Sequence, residues 1–263
     1  MDELGFIEAG DSITQIIAYA QKGVFGTHIF SLADAAYIAI GHQESYDAAI
    51  MAKLKIIIIP VTPFQQNCSL VIDEDTNMAA VVDPGGNLDR VHEAIKQAGV
   101  KIEKILLTHG HIDHAGGAAE LAEKLGVKVE GPHIGDKAIL DDLPKRGAAF
   151  GIHGARAITP DRWLKDNDEV VVGGLKFSVH EAPGHSPGSV VLFNAENKFA
   201  LMGDVLFQNS VGRTDLPGGS HEILIKSIRE KILPLGDDVT FLPGHGAASR
   251  IGIERLNNPF LQD

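Results

Sequence analysis

The sequence predicts an α/β fold with sheets inside and helices outside. Three observations carry this prediction: short apolar, β-branched runs bounded by Gly, Pro or Asn; intervening stretches with apolar residues at helical spacing; and an irregular alternation of the two, with two strand clusters each accompanied by helices. Strands are expected at 54–60, 68–73 and 78–83. Asn87 is placed to cap a helix running to about residue 98, whose Leu88, Val91 and Ile95 share one face and which Gly99 ends. A strand follows at 104–108, then a helix at 114–125 ended by Gly126, a short strand at 127–130, and a helix-and-loop stretch to about 165. Strands return at 169–172, 175–182, 189–195 and 198–202. Ser220 is placed to cap a helix over 220–232, and a strand at 238–242 and a short helix at 248–256 complete the pattern.

Composition narrows the functional classes. The 263 residues carry a net charge of −12, which disfavours nucleic acid as a partner, because phosphate contacts need clustered Lys and Arg. No run approaches the roughly 18 apolar residues needed to cross a bilayer. One cysteine, Cys68, leaves no internal disulfide and no Cys-rich zinc module; it is expected to pack rather than react. No basic segment followed by an apolar one marks an export signal, so the expected setting is cytoplasmic. Oligomeric state is left open.

Residues 1–50 differ from the rest. They hold all three tyrosines, no proline and no arginine, and one Lys against seven Asp or Glu. Short helices are conceivable at 13–20 and 32–40, but no chemistry-bearing motif occurs there. The segment is expected to be a dispensable appendage, with Met51 an ordinary start just ahead of the first strand and 54–263 the functional domain.

The strongest functional signal is Thr108-His109-Gly110-His111-Ile112-Asp113-His114, directly after an apolar strand. His109 and His111 alternate, so an extended segment can point both the same way, whereas Asp113 and His114 are adjacent on the entering helical turn and should diverge toward a neighbouring centre. Three other predicted strand ends supply similar groups: His185 in Pro183-Gly184-His185-Ser186-Pro187-Gly188, Asp204 after Leu201-Met202-Gly203, and His245 in Pro243-Gly244-His245-Gly246. Ligand sites of α/β folds gather at strand ends. Imidazole with carboxylate suits two divalent cations, zinc by expectation, with iron or manganese also matching the donors. Five His and two Asp suffice for two centres of three protein ligands each, one shared carboxylate and room for a bridging water. His28, His42, His92, His133, His153, His180 and His221 share no spacing and receive no role.

From about residue 54 to 263 this pattern resembles the metallo-β-lactamase superfamily, including Val82-Asp83-Pro84-Gly85-Gly86 ahead of the main motif. Within it, Pro63-Phe64-Gln65-Gln66-Asn67-Cys68, Gly203-Asp204-Val205-Leu206-Phe207, Val211-Gly212-Arg213-Thr214-Asp215 and Asn257-Asn258-Pro259-Phe260-Leu261 are similar to the short bacterial type of glyoxalase II (hydroxyacylglutathione hydrolases). The resemblance implies a four-layer αβ/βα sandwich of two mixed sheets with metals at one edge. It implies that His109, His111 and His185 hold one metal, that Asp113, His114 and His245 hold the other, and that Asp204 bridges them. Asp113 and Asp204 are then the catalytic carboxylates. Asp83 fixes a ligand's ring or loop from behind, or else caps backbone amides.

Two adjacent cations bring a shared water's pKa toward about 7, providing hydroxide for attack on a carbonyl. A thioester suits such a centre, since a thiol of pKa about 8.5 leaves readily, whereas an amide nitrogen needs a proton donor that the sequence does not identify. The resemblance supplies the substrate: S-lactoylglutathione, cleaved to D-lactate and glutathione in methylglyoxal detoxification. The departures concern glutathione. The longer enzymes of this type carry a helical carboxy-terminal domain that this sequence lacks, and a tyrosine where Gly246-Ala247 stand. Arg213 takes the place of a loop lysine and is the candidate to engage a glycyl carboxylate, or else braces its loop against Asp215. Broad thioester specificity is expected. The same residues also resemble those of a mononuclear-iron persulfide dioxygenase of this superfamily, and a non-catalytic binding protein on this fold is disfavoured by the intact set of seven positions.

Overall fold

The Ile-rich run predicted as the first strand faces two cores at once, and that property sets the layering. In the computed structural model, which describes residues 28–31, 54–152 and 154–262, Leu54–Val61 is strand β2. It is preceded by a four-residue strand, His28–Ser31 (β1), which pairs antiparallel with it. Ile57, Ile59 and Val61 point to one side and Leu54 and Ile56 to the other. The period-two alternation therefore feeds separate clusters on the two faces of the sheet. The first sheet continues through Gln66–Asp73 (β3), Met78–Val82 (β4), Lys101–Leu106 (β5) and Lys128–Glu130 (β6), in the order β1-β2-β3-β4-β5-β6. Helices Leu88–Ala98 (α1) and Ala118–Leu125 (α3) cover its outer face through Leu88, Val91, Ala94, Ala118 and Leu121. Between them lies the single turn Ile112–Ala115 (α2).

After Lys137–Asp141 (α4) and Leu143–Phe150 (α5), the second sheet forms from Glu169–Val172 (β7), Leu175–Glu181 (β8), Val190–Asn194 (β9) and Phe199–Gly203 (β10). Two short strands, Leu206–Phe207 (β11) and Ser210–Val211 (β12), make a separate hairpin. His221–Ser227 (α6) precedes Thr240–Pro243 (β13) and Ser249–Arg250 (β14), and Ile251–Asn257 (α7) follows. The order of this sheet is β14-β13-β10-β9-β8-β7. Its inner face, with Val170, Phe177, Val179, Leu192 and Leu201, meets Val71, Ala80, Val82 and Leu106 of the first sheet. Its outer face packs Val191, Ala200, Met202 and Phe241 against Leu224, Ile228 and Ile251. Two mixed sheets lie inside and helices outside, the four-layer αβ/βα arrangement expected.

Several local expectations are modified. Asn87 precedes α1, but with φ 47° its side chain does not cap the helix; its Oδ1 accepts the Thr62 N–H at 2.6 Å. The helix expected over 114–125 is divided, because the Gly117 N–H donates to the Pro84 carbonyl at 2.9 Å instead of continuing the turn. Ser220 does cap α6, with Ile223 N–H donating to its Oγ at 3.4 Å, but the α-helix ends at Ser227 and passes into a π turn over Ile228–Ile232. Cys68, on β3, is wholly buried in the first core, and burial pushes its thiol pKa far up, as expected of a packing residue. The helices conceived at 13–20 and 32–40, and Met51, lie outside the described residues. No helix among the described residues is long and apolar enough to cross a membrane.

Candidate metal centre

Four chain segments leave the two sheets at one edge and meet there. Thr108–His114 follows β5, Pro183–Gly188 lies between β8 and β9, Asp204 follows β10, and Gly244-His245 follows β13. The parallel pairing of β10 with β13 and of β4 with β5 delivers these carboxyl ends side by side.

All seven predicted donors converge. His185 Nε2 lies 2.9 Å from His111 Nδ1 and 3.3 Å from His109 Nε2. His245 Nε2 lies 3.4 Å from His114 Nε2 and 3.2 Å from Asp113 Oδ2. The donor atoms of His109, His111 and His185 lie within 4.8 Å of one another, as do those of Asp113, His114 and His245. Asp204 stands between the two groups, with Oδ2 3.5 Å from His185 Nε2 and 3.6 Å from His245 Nε2, and Oδ1 3.4 Å from His114 Nε2. The turn of α2 brings Asp113 and His114 together with His245, but His114 does not diverge from His109: their ring centroids lie 4.0 Å apart.

The outward nitrogens decide what faces inward. A carbonyl or carboxylate oxygen only accepts, so a ring nitrogen bonded to one carries its proton. His185 Nδ1 donates to the Arg213 carbonyl at 2.8 Å, His245 Nδ1 to the Phe64 carbonyl at 3.1 Å, and His114 Nδ1 to Asp83 Oδ2 at 2.9 Å. Thr108 gives its hydroxyl proton to Asp83 Oδ2 at 2.6 Å, so its oxygen accepts from His109 Nδ1 at 3.2 Å. The other ring nitrogens of His109, His114, His185 and His245 therefore all face one space that two carboxylates also enter. A cation that enters in place of the inward protons satisfies these nitrogens and carboxylates together. Two further features fit the same occupant. Asp204 Oδ1 is buried without a hydrogen-bond partner, and a Cβ at position 244 would run into it, so only glycine leaves that space clear. This His and Asp cluster is able to hold metal ions.

Electrostatics divide the cluster. Burial, reinforced by neighbouring imidazoles, drives the His109 pKa down and that of His111 to about 3. His114 is equally buried, but Asp204, Asp113 and Asp83 around it outweigh the desolvation and raise its pKa. His245 is raised against burial by its bond to Asp113 and by Asp204. Burial opposes ionisation of Asp204, yet His114 and the other imidazoles hold its pKa well below the ordinary range. The carboxylates are thus poised as anions. The His245 side chain is 27% exposed and that of Asp113 16%, against 3% for His185 and 0% for His114, so the centre opens to solvent at His245.

Asp83 both grips a ring and caps an amide: besides His114, it accepts the Thr108 N–H at 2.8 Å. Its two sequence readings are one arrangement. The Arg213 guanidinium is held bidentately by Asp215, at 2.7 and 2.6 Å, on the surface, and its carbonyl is what touches the centre, through His185. Sequence reasoning missed Asp136, a wholly buried carboxylate whose oxygens accept the Gly110 N–H, the Ser186 hydroxyl and the Gly188 N–H. Its only sequence signal is an acidic residue shortly after the end of another strand, β6. Gln66, buried within the motif at 63–68, has its Nε2 3.4 Å from His114 Nδ1, a contact with the centre that the motif does not reveal.

Residues 61–245 match the sequence signature of the metallo-β-lactamase superfamily. The chain belongs to that superfamily. It is 44% identical over 209 residues to the Haemophilus influenzae hydroxyacylglutathione hydrolase GloC, covering 79% of this chain and 98% of the relative. Among solved structures it is similar to the B3 metallo-β-lactamase BLEG-1 (TM-score 0.73, 35% identity, covering 79% of this chain and 100% of that one). It is also similar to TTHA1623, solved in a di-iron-bound form (TM-score 0.71, 33% identity, covering 78% and 99%). The protein is a hydrolase of the metallo-β-lactamase superfamily whose His and Asp cluster can bind metals; the di-iron neighbour carries iron in the same fold.

Proposed function

We propose that the protein is a two-metal thioester hydrolase acting on glutathione-linked hydroxyacyl thioesters, S-lactoylglutathione first among them, in methylglyoxal detoxification in the cytoplasm. The observation that carries this reading is the convergence of two three-residue donor groups on the single carboxylate of Asp204, in a chain 44% identical to a hydroxyacylglutathione hydrolase. His109, His111 and His185 would hold one ion, Asp113, His114 and His245 the other, and Asp204 both; zinc suits these donors, and iron and manganese do as well. Bound there, divalent ions supply Lewis acidity and lower the pKa of water to about 7.

The chain's own groups do the rest. The outward bonds of four imidazoles to Arg213 O, Phe64 O, Asp83 and Thr108 fix the ring orientations before substrate arrives, so little reorganisation is left for the reaction. Asp113, beside His245 at the open side, would also orient the attacking water by accepting its hydrogen bond. A thiolate leaving group departs without a proton donor, which favours a thioester over an amide at this site. Arg213 would meet the substrate's terminal carboxylate by exchanging it for Asp215.

Metal content of the purified protein, followed by its rates on S-lactoylglutathione and on thioesters lacking glutathione, tests the reading. Metal-dependent release of glutathione is expected, with smaller but measurable rates on the other thioesters. A metal-loaded protein that leaves every thioester intact would overturn it.

A further inference from the structure

Asp136 lies outside the seven donors and outside every motif that pointed to them, yet it is tied to two of the segments that carry them. It ends the short turn Ile134–Asp136 after β6 and is wholly buried. The Gly110 N–H, between His109 and His111, donates to its Oδ2 at 2.7 Å, and the Ser186 hydroxyl, next to His185, donates to the same oxygen at 2.8 Å. The Gly188 N–H donates to Oδ1 at 2.6 Å. The turn is itself seated on the second segment, with His133 N–H donating to the Gly188 carbonyl at 3.0 Å. A Cβ on residue 188 would lie 2.6 Å from the Asp136 backbone nitrogen, so only glycine permits this approach. One carboxylate thus joins the segment bearing His109 and His111 to the segment bearing His185. The bonds go to Gly110, between His109 and His111, and to Ser186 and Gly188, just after His185; Asp113 and His114 lie farther along the Gly110 segment, on the turn of α2, and His245 on a segment that Asp136 does not touch.

The geometry needs such a joint. His185 Nε2 lies 2.9 Å from His111 Nδ1 and 3.3 Å from His109 Nε2 across two segments, so the three donors can meet one ion only while those segments keep their separation. A buried carboxylate accepting charge-assisted bonds from both segments holds that separation. We propose that Asp136 is a positioning residue for one half of the centre: it sets the separation of the two segments so that His109, His111 and His185 meet a metal ion together, and does not act on the half formed by Asp113, His114 and His245. This rests on the two-metal reading given above.

Asp136→Asn isolates the effect. It keeps the shape, but both oxygens receive only donors, so the amide must turn an NH2 toward one of them. Metal-free wild type and variant are titrated with zinc against a competing chelator while the imidazole signals of 15N-histidine-labelled protein are followed by NMR. Wild type is expected to take up two ions per chain. In the variant, the step that shifts His109, His111 and His185 is expected to weaken by about tenfold or more, the range for partners behind metal ligands, while the step that shifts His114 and His245 stays put. A purely structural role would lower the thermal midpoint and leave both steps unchanged, or weaken both alike; either result overturns the proposal. Wild type that takes up fewer than two ions overturns the two-metal centre and the proposal with it. Should Asp136→Asn not fold, Ser186→Ala, which removes one of the three bonds, decides: a smaller weakening confined to the same three histidines supports the proposal, and unchanged binding rejects it.

Discussion

Asp83 accepts the Nδ1 proton of His114 at 2.9 Å and thereby turns the other nitrogen of that ring toward Asp204, 3.4 Å away. The same carboxylate takes both the amide and the hydroxyl proton of Thr108, whose oxygen in turn accepts from His109. One buried acid therefore sets the orientation of a ring in each half of the centre. Asp83→Ala is expected to weaken metal binding by roughly 10–100-fold, with hydrolysis falling in step, as is usual for partners behind metal ligands. Chelator competition on purified variant and parent measures it; equal affinities would remove Asp83 from the account.

Arg213 has two attachments that mutation separates. Its side chain pairs with Asp215 at the surface, while its carbonyl holds His185. Arg213→Ala deletes only the first, so metal content is expected to stay whole. The KM for S-lactoylglutathione is expected to rise several-fold with kcat little changed, and a thioester without a glycyl carboxylate should not notice the substitution. A fall in kcat on both substrates would reject a carboxylate-binding role.

Cys68 is sealed in the first core, where burial above all, and the nearby Asp83 charge, keep its thiol protonated. A thiol-reactive dye is expected to label native protein negligibly and to titrate one thiol per chain on unfolding, since the sequence has one cysteine. Rapid native labelling that abolishes hydrolysis would contradict a packing role.

The persulfide dioxygenase reading is separated by its co-substrate. Metal-loaded protein given glutathione persulfide is expected to consume no oxygen while it still cleaves thioesters. Oxygen uptake proportional to one iron per chain would replace the hydrolase proposal.

Removal of residues 1–50 is expected to leave metal uptake and hydrolysis intact, since every residue of the candidate centre lies beyond Asp83 in the chain or in the Phe64–Gln66 turn. The cost should be confined to the backbone bonds that β1 makes along the β2 edge. Circular dichroism and zinc titration of the chain beginning at Met51 check this; loss of folding would show the segment to be part of the domain.

The centre was largely legible because its chemistry sits at strand ends, and strand ends are marked by where apolar runs stop. His109, Asp204 and His245 could be placed at strand ends from that alone, and sheets inside helices followed from two strand clusters each with its helices; the four-layer count came from the resemblance, and the two-faced packing of Leu54–Val61 from the structure. What the sequence hid depends on contacts between distant segments. The carbonyls of Arg213 and Phe64 fix two imidazoles, but a carbonyl belongs to every residue and carries no letter. Asp136 is one acid among many until the fold brings Gly110 and Gly188 to it. Asn87 looked like a helix cap because its type favours one, yet its side chain is claimed by Thr62, 25 residues away. The break between α2 and α3 likewise comes from Pro84, whose carbonyl takes the Gly117 proton. The strands β11, β12 and β14 span two residues each, too few to show a period.

Crystals of zinc-loaded protein, measured on both sides of the zinc absorption edge, test the central claim most directly. Two anomalous peaks are predicted, one touching His109, His111 and His185, the other touching Asp113, His114 and His245, with Asp204 reaching both. A single peak, or peaks away from these side chains, would contradict the account.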